Sequence, residues 1–174
     1  VDAPISGGPQ RAEAGEMSMM VAAPDDVVQR CEPLLRDLAA SLYRVGERPG
    51  DGARAKLVNN LLAGINLVAG AEAMALGARL GLDRRMLFEL IRASSGASWI
   101  VGDRMPRSLE ADLAPRARTT LLTKDLGLAL QMATDAGVEA PMGREALDRF
   151  RAAVAAGLGD LDDAALFDFV ARRA

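Results

Sequence analysis

A run of twenty mostly apolar residues, 57–76, limits what this chain can fold into more than any other feature. Gly50 and Gly52 form a turn before it, and no proline interrupts the chain until well past Gly81. This pattern predicts a single helix over 53–80, about 42 Å long at about 1.5 Å per residue. A helix so apolar must be covered on most of its sides.

The polar residues of this helix fall into two groups with different chemistry. On a wheel of about 100° per residue, one sector of about 120° holds Lys56, Asn59, Asn60 and Asn66. Asparagine is a poor helix former, and a buried amide or ammonium group is costly without a partner. We therefore predict a site on this face; the alternative is that the asparagines join neighbouring helices or cap a loop. The opposite face, which we expect to be solvated, carries Arg54, Glu72 and Arg79.

Membrane insertion is one way to cover such a helix, and the sequence argues against it. Polar residues interrupt the run at four positions, and no aromatic belt flanks it. We therefore expect a buried helix and no membrane partner. The remaining helices are too short to cover it alone, so we predict a homodimer through helix 53–80. A higher oligomer stays open as an alternative.

Charge and composition exclude several function classes. The net charge is −3, the pI is about 5.1 and the basic residues form no stripe, which argues against a nucleic-acid partner. The chain has no histidine and a single cysteine, Cys31, so an internal disulfide and a Cys/His metal site are both excluded. We expect no metal. One cysteine in 174 residues suits the reducing cytoplasm, where we place the protein.

Residues 1–48 read as α/β material. Strands are expected over 1–5, 17–22 and 42–45, with a loop over 6–9. A helix is expected over 25–40, kinked or divided by Pro33. The chain begins with what reads as a strand inside a fold, so we expect a preceding N-terminal region.

Residues 49–174 read as helices only, and the fold class is therefore mainly α. The turn-rich segment 47–52 marks the boundary, which we place between residues 48 and 49. After the long helix, further helices are expected over 83–94, 120–136, 142–156 and 162–172. Segment 96–118 is expected to be irregular, with a helical turn or two near 99–109.

Two short motifs outside the long helix point to an anionic ligand. Ser6, Gly7 and Gly8 follow a strand end, where glycines let the backbone present N–H groups to an anion. Lys124 and Asp125 lie early in a helix, where the dipole mildly disfavours a cation unless an anion is near. The alternatives are a structural Gly-Gly turn and a surface ion pair. Trp99 is either a core residue or a pocket wall.

Three segments together resemble the β-hydroxyacid dehydrogenase family, which includes 3-hydroxyisobutyrate dehydrogenase. The first segment, Asp-Ala-Pro-Ile-Ser-Gly-Gly over 2–8, is similar to its substrate-binding motif. The second, Gly50-x-Gly52-x-x-x-Lys56-x-x-x-Asn60, is similar to its catalytic motif. The third, Lys-Asp-Leu-Gly-Leu-Ala over 124–129, is similar to its cofactor-side motif. The three occur in the family's order and span most of the chain.

The resemblance implies a role for each of these residues. Lys56 would be the general acid/base, while Ser6, Gly7 and Gly8 would hold the carboxylate of a small hydroxy acid. Asn59 and Asn60 would also bind and orient the substrate. Lys124 and Asp125 would lie beside the cofactor, which is NAD or NADP. The reaction would interconvert a 3-hydroxy acid and its aldehyde or keto acid, with hydride passing to nicotinamide.

The fold implied is a helical domain like the C-terminal domain of 6-phosphogluconate dehydrogenase, preceded by the last strands and helix of a Rossmann domain. The Gly-x-Gly-x-x-Gly turn of such a domain is missing from these 174 residues, so we expect this polypeptide alone to be inactive. The alternative is a non-catalytic helical dimerisation or small-acid-binding module without a cofactor domain. A glycine-rich strand–loop–helix encoded upstream would favour the enzyme.

Within the family, three less specific motifs of this chain are similar to those of the sugar-acid branch, which includes L-threonate dehydrogenase. They are Ser98-Trp99, Arg104-Met105-Pro106 and Ala114-Pro115-Arg116. The related imine reductase branch usually lacks the catalytic lysine, so Lys56 counts against it.

Overall fold

The computed structural model describes residues 1–173, and the chain divides into two compact units. The first unit is Val1–Asn59 and the second is Asn60–Ala174. The division falls inside the long helix, which begins in the first unit and continues into the second. The predicted domain boundary between residues 48 and 49 remains a prediction.

The first unit is a three-stranded sheet with two helices. The strands are β1 (Ile5–Ser6), β2 (Ser18–Ala22) and β3 (Ser41–Gly46), and the helices are α1 (Gly8–Glu13) and α2 (Asp25–Leu38). In the order β1-β2-β3, β1 is antiparallel and β3 parallel to β2. Because β2 and β3 are parallel, the chain crosses between them through α2. The small core of this unit consists of Met19, Val21, Leu35 and Ala39.

Two expectations for this unit are wrong in detail. The first strand does not run over 1–5: Asp2 forms an isolated bridge to Ala22, and only Ile5–Ser6 is a strand. Pro4 lies between them, and a proline cannot donate to the ladder. The expected loop over 6–9 is cut short because Gly8 already begins α1, in which a proline occupies the first turn. Helix α2 continues through Pro33 without division.

The second unit consists of helices packed around one core. The long helix α3 (Asp51–Arg79) is followed by α4 (Arg84–Arg92), α5 (Trp99–Leu109), α6 (Thr119–Asp135), α7 (Pro141–Ala153) and α8 (Ala165–Arg173). A π turn, Val154–Leu158, extends α7. The most deeply buried apolar side chains come from α3, α5, α6, α7 and α8 and include Leu67, Met105, Leu126, Phe150, Leu166 and Phe167.

Helix α5 is the main departure from expectation in this unit. Within segment 96–118, which was expected to be irregular, a helix of eleven residues takes the place of the helical turn or two expected near 99–109. The Ser98 side chain caps it by accepting from Val101 N at 3.4 Å. Ile100, Val101 and Met105 are buried, and Met105 lies one turn after Val101. Arginines and Pro106 within the same eleven residues hide this apolar pattern in the sequence.

Helix α3 is covered less completely than expected. It is long and apolar enough to cross a membrane, a property that core helices of water-soluble proteins share. Only 39% of its most apolar window is buried. The expectation of a buried helix is therefore only partly met, since three large apolar side chains on α3 (Val58, Leu62 and Leu76) and Leu80, directly after it, are exposed.

Close packing at Gly52 gives a first prediction. A Cβ atom at Gly52 would lie 2.7 Å from the Met20 carbonyl oxygen and 2.9 Å from Pro4 Cδ. Neither neighbour can swing away, so the first turn of α3 would have to move. We expect Gly52→Ala to lower the free energy of unfolding by about 1–3 kcal/mol, measured by urea denaturation.

A second helical glycine provides the control. A Cβ at Gly102 in α5 meets no atom within 4 Å. Gly102→Ala is therefore expected to leave stability unchanged or to raise it by up to about 1 kcal/mol. Equal effects of the two substitutions would show that helix propensity, and not close packing, decides the outcome at Gly52.

Candidate active site

The segment that opens the chain is fixed to the start of α3. Asp2 Oδ2 accepts a hydrogen bond from Gly50 N at 2.8 Å and another from Ala53 N at 3.1 Å. The first N–H groups of a helix have no partner within it, so Asp2 acts as the cap of α3 from far away in the sequence. The expected substrate loop and the expected catalytic helix are thereby joined within the first unit.

Ser6, Gly7 and Gly8 form a tight turn between β1 and α1. Gly7 has φ 135° and Gly8 has φ 71°, a pair of consecutive positive values that favours glycine at both positions. A Cβ at Gly7 would also lie 2.9 Å from Cβ of Arg11. Successive N–H groups in such a turn can bind a carboxylate, and the Ser6 hydroxyl adds a donor.

Lys56 and the asparagines lie where the helical wheel places them, with different exposure. Lys56, Asn60 and Asn66 are half-buried, whereas Asn59 is exposed. Lys56 and Asn60 stand one turn apart on α3, a spacing at which two side chains can contact the same small molecule. Arg54, on the other side of the helix, is solvated as expected and pairs with Asp51 at 2.7 Å.

Asn60 and the Lys124–Asp125 pair come together in the second unit. The Asn60 amide nitrogen donates to Asp125 Oδ2 at 2.7 Å, and the Lys124 ammonium group pairs with Asp125 Oδ1. Asp125 is mostly buried, and Lys124 is exposed. The carboxylate therefore links α3 to α6 and fixes which end of the Asn60 amide faces α6. The alternatives to a binding site therefore hold in part. Asn60 joins a neighbouring helix, as the first alternative expected, and Lys124 forms an ion pair, as the second expected.

Backbone carbonyl groups accept hydrogen bonds from the first residues of α6. Thr119 N donates to the Leu161 carbonyl at 2.9 Å, and Thr120 N donates to the Gly159 carbonyl at 3.2 Å. The Thr119 hydroxyl, fully buried, donates to the same Leu161 carbonyl at 3.2 Å. The loop between α7 and α8 thus satisfies the first N–H groups of α6 and sets the position from which Lys124 and Asp125 project.

Asp162 holds the loop that precedes α6. Its carboxylate accepts from Arg116 N and Ala117 N, both at 3.0 Å, and from Ala164 N at 3.2 Å. Arg107 adds an ion pair at 3.2 Å. Burial alone would raise the pKa of Asp162, but the three N–H donors outweigh it and the pKa is lowered. Helix α8 accordingly begins at Ala165 and not at residue 162, where the sequence predicted its start.

A buried ion pair, Arg104–Asp163, lies beside Asp162. The guanidinium group of Arg104 contacts the carboxylates of both Asp163 and Asp103. Burial raises the pKa of Asp163 to about 6, although Arg104 acts in the opposite direction. Burial would lower the pKa of Arg104, but its aspartate neighbours raise it overall. This cluster was not predicted from the sequence. The only signal for it is the adjacent pair Asp162–Asp163, together with two arginines, Arg104 and Arg107, that lie one turn apart on α5.

Trp99 is exposed, and the two arginines that precede α6 form ion pairs with aspartates. Trp99 is 56% exposed at the start of α5, so it is not a core residue. Arg116 pairs with Asp112 at 2.6 Å, and Arg118 pairs loosely with Asp160 at 3.5 Å. Among residues 1–173, no group of three or more Cys, Asp or Glu side chains is placed to hold a metal ion.

Family profiles match almost the whole chain in two parts. Residues 50–170 match the profile described as NAD-binding of NADP-dependent 3-hydroxyisobutyrate dehydrogenase. Residues 1–46 match the profile described as the NAD binding domain of 6-phosphogluconate dehydrogenase. The first match covers more than half of the chain and includes Lys56, Asn60 and the Lys124–Asp125 pair.

Individual proteins agree with these profiles. L-threonate dehydrogenase of Cupriavidus necator is 40% identical over 95% of this chain and 56% of its own length. A 3-hydroxyisobutyrate dehydrogenase structure from Salmonella typhimurium has a TM-score of 0.90 at 36% identity, over 97% of this chain and 59% of that one. The Mycobacterium tuberculosis 3-hydroxyisobutyrate dehydrogenase with L-serine has a TM-score of 0.86 at 34% identity, over 97% and 60%. The chain therefore spans somewhat more than half of the length of these relatives.

Proposed function

Because the chain belongs to the β-hydroxyacid dehydrogenase family, which includes 3-hydroxyisobutyrate dehydrogenase, we propose that it is part of an NAD(P)-dependent oxidoreductase that interconverts a 3-hydroxy acid and its aldehyde or keto acid. In this proposal residues 1–48 contribute the last strands of the nucleotide-binding domain, and 49–174 form the substrate and dimerisation domain. The two profile matches, 1–46 and 50–170, support this division. We place the enzyme in the cytoplasm, as its single cysteine suggests.

The observation that carries the proposal is the joining of two motifs in one unit. Asp2 caps the helix that carries Lys56, and the same opening segment continues into the turn of Ser6, Gly7 and Gly8. In the proposed reaction, the turn N–H groups and the Ser6 hydroxyl bind the substrate carboxylate. Lys56 accepts the proton of the substrate hydroxyl during oxidation and returns it during reduction.

The exposed face of α6 suits a nicotinamide cofactor. Leu121, Lys124 and Leu128 project from it one to two turns apart, so a cation stands between two apolar side chains. Such a face offers apolar contact to a planar ring and a charge-assisted donor to amide or phosphate oxygens. A bound nicotinamide would supply the hydride acceptor for oxidation of the carbinol carbon. Lys124 and Asp125 are the residues that we propose hold it.

Asn60 and Asp125 have a positioning role in this scheme. Their 2.7 Å hydrogen bond ties the helix that carries Lys56 to the helix that carries Lys124. Asn60 also stands one turn from Lys56, where it is placed to orient the substrate or the lysine. Asn59 is exposed on the same side of α3 and completes the proposed substrate-binding set.

We propose sugar acids as the first substrate class to test. L-threonate dehydrogenases are among the similar relatives, at 36–40% identity. The mycobacterial relative was solved with L-serine, which is itself a 3-hydroxy acid. Both molecules carry a carboxylate for the Ser6–Gly8 turn and a hydroxyl group for Lys56.

The test is a substrate panel on the full-length protein. We expect NAD⁺ or NADP⁺ reduction, followed by the absorbance of the reduced nicotinamide, with L-threonate, 3-hydroxyisobutyrate or L-serine. The methyl ester of the best substrate is the matched control, because it keeps the hydroxyl group but removes the carboxylate charge. We expect the ester to lose most of the kcat/KM. If neither cofactor is reduced with any hydroxy acid, nor its reduced form oxidised with the aldehydes, the helical binding module becomes the better description.

A further inference from the structure

The segment that carries Asp2 is held along β2 by backbone hydrogen bonds. Asp2 N donates to the Ala22 carbonyl at 3.0 Å, and Ala22 N donates to the Asp2 carbonyl at 2.8 Å. Met20 N donates to the Pro4 carbonyl at 2.9 Å, and β1 itself is paired with β2. Residues 2–6, which we call the 2–6 segment, are therefore fixed at both ends and in the middle. None of these bonds uses the Asp2 side chain.

The Asp2 side chain instead holds a second element, the first turn of α3. Its Oδ2 atom accepts from Gly50 N at 2.8 Å and from Ala53 N at 3.1 Å. Gly52, between these two residues, has no space for a side chain. A Cβ atom there would lie 2.7 Å from a backbone carbonyl oxygen of β2 and 3.0 Å from the same Oδ2 atom. The 2–6 segment and the first turn of α3 therefore form a close junction, and the carboxylate joins them.

The two proposed substrate contacts lie on opposite sides of this junction. The Ser6–Gly8 turn continues directly from the 2–6 segment, and Lys56 lies on the second turn of α3. Both belong to the compact unit Val1–Asn59. The position of the turn relative to Lys56 therefore depends on the junction that Asp2 forms.

We propose that Asp2 is a positioning residue that fixes the distance between the substrate carboxylate and Lys56, and thereby selects acids by the position of their hydroxyl group. This role rests on the proposed function, in which the turn binds the carboxylate and Lys56 takes the hydroxyl proton. Proton transfer requires the lysine nitrogen and the hydroxyl oxygen to be within about 2.6–3.2 Å of each other. One more carbon–carbon bond between the carboxylate and the carbinol carbon, about 1.5 Å long, moves the hydroxyl group out of this range. A misplacement of about 1 Å can cost about 100-fold in rate.

A cap that only stabilised α3 would not need a residue from so far away. Side-chain caps are ordinarily supplied by the residue directly before a helix, whereas Asp2 precedes α3 by 49 residues. The two roles also predict different results. Loss of a purely stabilising cap affects the reaction of every substrate equally, whereas a loosened distance changes the ratio between two substrates of different length.

The test compares acids that differ by one methylene group, using the full-length protein. Each 3-hydroxy acid that the wild type oxidises is paired with the homologue that has one more methylene between the carboxylate and the carbinol carbon. For L-serine this homologue is L-homoserine. We expect Asp2→Ala to lower the kcat/KM ratio of the shorter to the longer acid by about tenfold or more, because the first turn of α3 is then free to shift. Asp2→Asn should keep the ratio within about threefold of the wild type, since its side-chain carbonyl can accept both N–H groups.

Two further measurements separate positioning from stability. Leu35→Ala is the matched control, because Leu35 is buried in the small core of the same unit. We expect it to lower the free energy of unfolding but to leave the substrate ratio unchanged. Hydrogen exchange needs no substrate. The amides of Gly50 and Ala53 should exchange faster in Asp2→Ala than in the wild type, and at nearly the wild-type rate in Asp2→Asn.

Each outcome has a distinct meaning. A wild-type substrate ratio in Asp2→Ala, or an equal fall in Asp2→Asn, would overturn the positioning role of Asp2. A similar fall in Leu35→Ala would overturn it as well, because lowered stability would then decide the selectivity. A wild-type protein that oxidises no hydroxy acid would contradict the proposed reaction and, with it, the selectivity. Exchange at Gly50 and Ala53 would still show whether the Asp2 carboxylate holds α3.

Discussion

Replacing Lys56 by alanine in the full-length protein is expected to lower kcat by about 10²–10⁴-fold, the usual contribution of a positioned acid/base group. The reason is the proton of the substrate hydroxyl, which has no other acceptor in the proposed scheme. Lys56→Arg should be nearly as impaired, because a guanidinium group stays protonated at working pH. Initial rates at saturating substrate give the result.

Two further measurements separate a catalytic lysine from a structural one. Arg54→Ala, on the solvated side of the same helix, is the matched control and should keep the normal rate. Circular dichroism and the urea midpoint of Lys56→Ala should match those of the wild type. A near-normal kcat of the Lys56→Ala enzyme would show that Lys56 is not the acid/base group, whatever the effect of the substitution on KM.

Removing Arg104 should have the largest effect on stability. Arg104→Met leaves the Asp163 carboxyl buried without its main partner, and we expect a loss of about 3–5 kcal/mol in the free energy of unfolding. The double variant Arg104→Met/Asp163→Leu should recover most of this loss, since a buried ion pair replaced by apolar residues is often neutral. Arg151→Met, which breaks an exposed pair with Asp148, is the control and should cost less than about 1 kcal/mol.

The pH dependence of stability provides an independent readout of the same pair. Burial raises the pKa of Asp163 from 3.8 to about 6 in the folded protein, so the folded state holds this proton more tightly than the unfolded state does. The contribution of Asp163 is therefore greatest below about pH 4 and is lost as the pH rises to about 6. Without Arg104, which lowers this pKa, the loss should extend to higher pH. A pH profile of Arg104→Met parallel to that of the wild type would contradict this account.

The long helix and the family were largely predictable from the sequence, because each has a local signal. Periodicity and Gly81 identify α3 within two residues at its start and one at its end. The family resemblance, which the profile matches confirm, came from three short motifs whose chemistry requires particular residue types. The roles of Lys56, Ser6, Gly7 and Gly8 remain predictions.

Contacts between distant segments could not be predicted from the sequence. Asp2 reads as part of a strand, yet its carboxylate caps a helix that begins 49 residues later. Nothing in the sequence indicates that Arg104 is buried, yet it pairs with Asp163, which lies 59 residues further along the chain. The full length of helix α5 was hidden for a related reason. Its two arginines pair with Asp162 and Asp163, far away in the sequence, as well as with Asp103 inside the helix, so its composition resembles that of a loop.

The Asp2 cap has a mechanical consequence. One carboxylate is hydrogen-bonded to both Gly50 and Ala53, while its own main chain leads directly into the Ser6–Gly8 turn. A movement of this turn would therefore pull on the first turn of α3. The Asp2 side chain is the link between the two segments, so a substitution that removes its carboxylate would let the turn and the helix move independently.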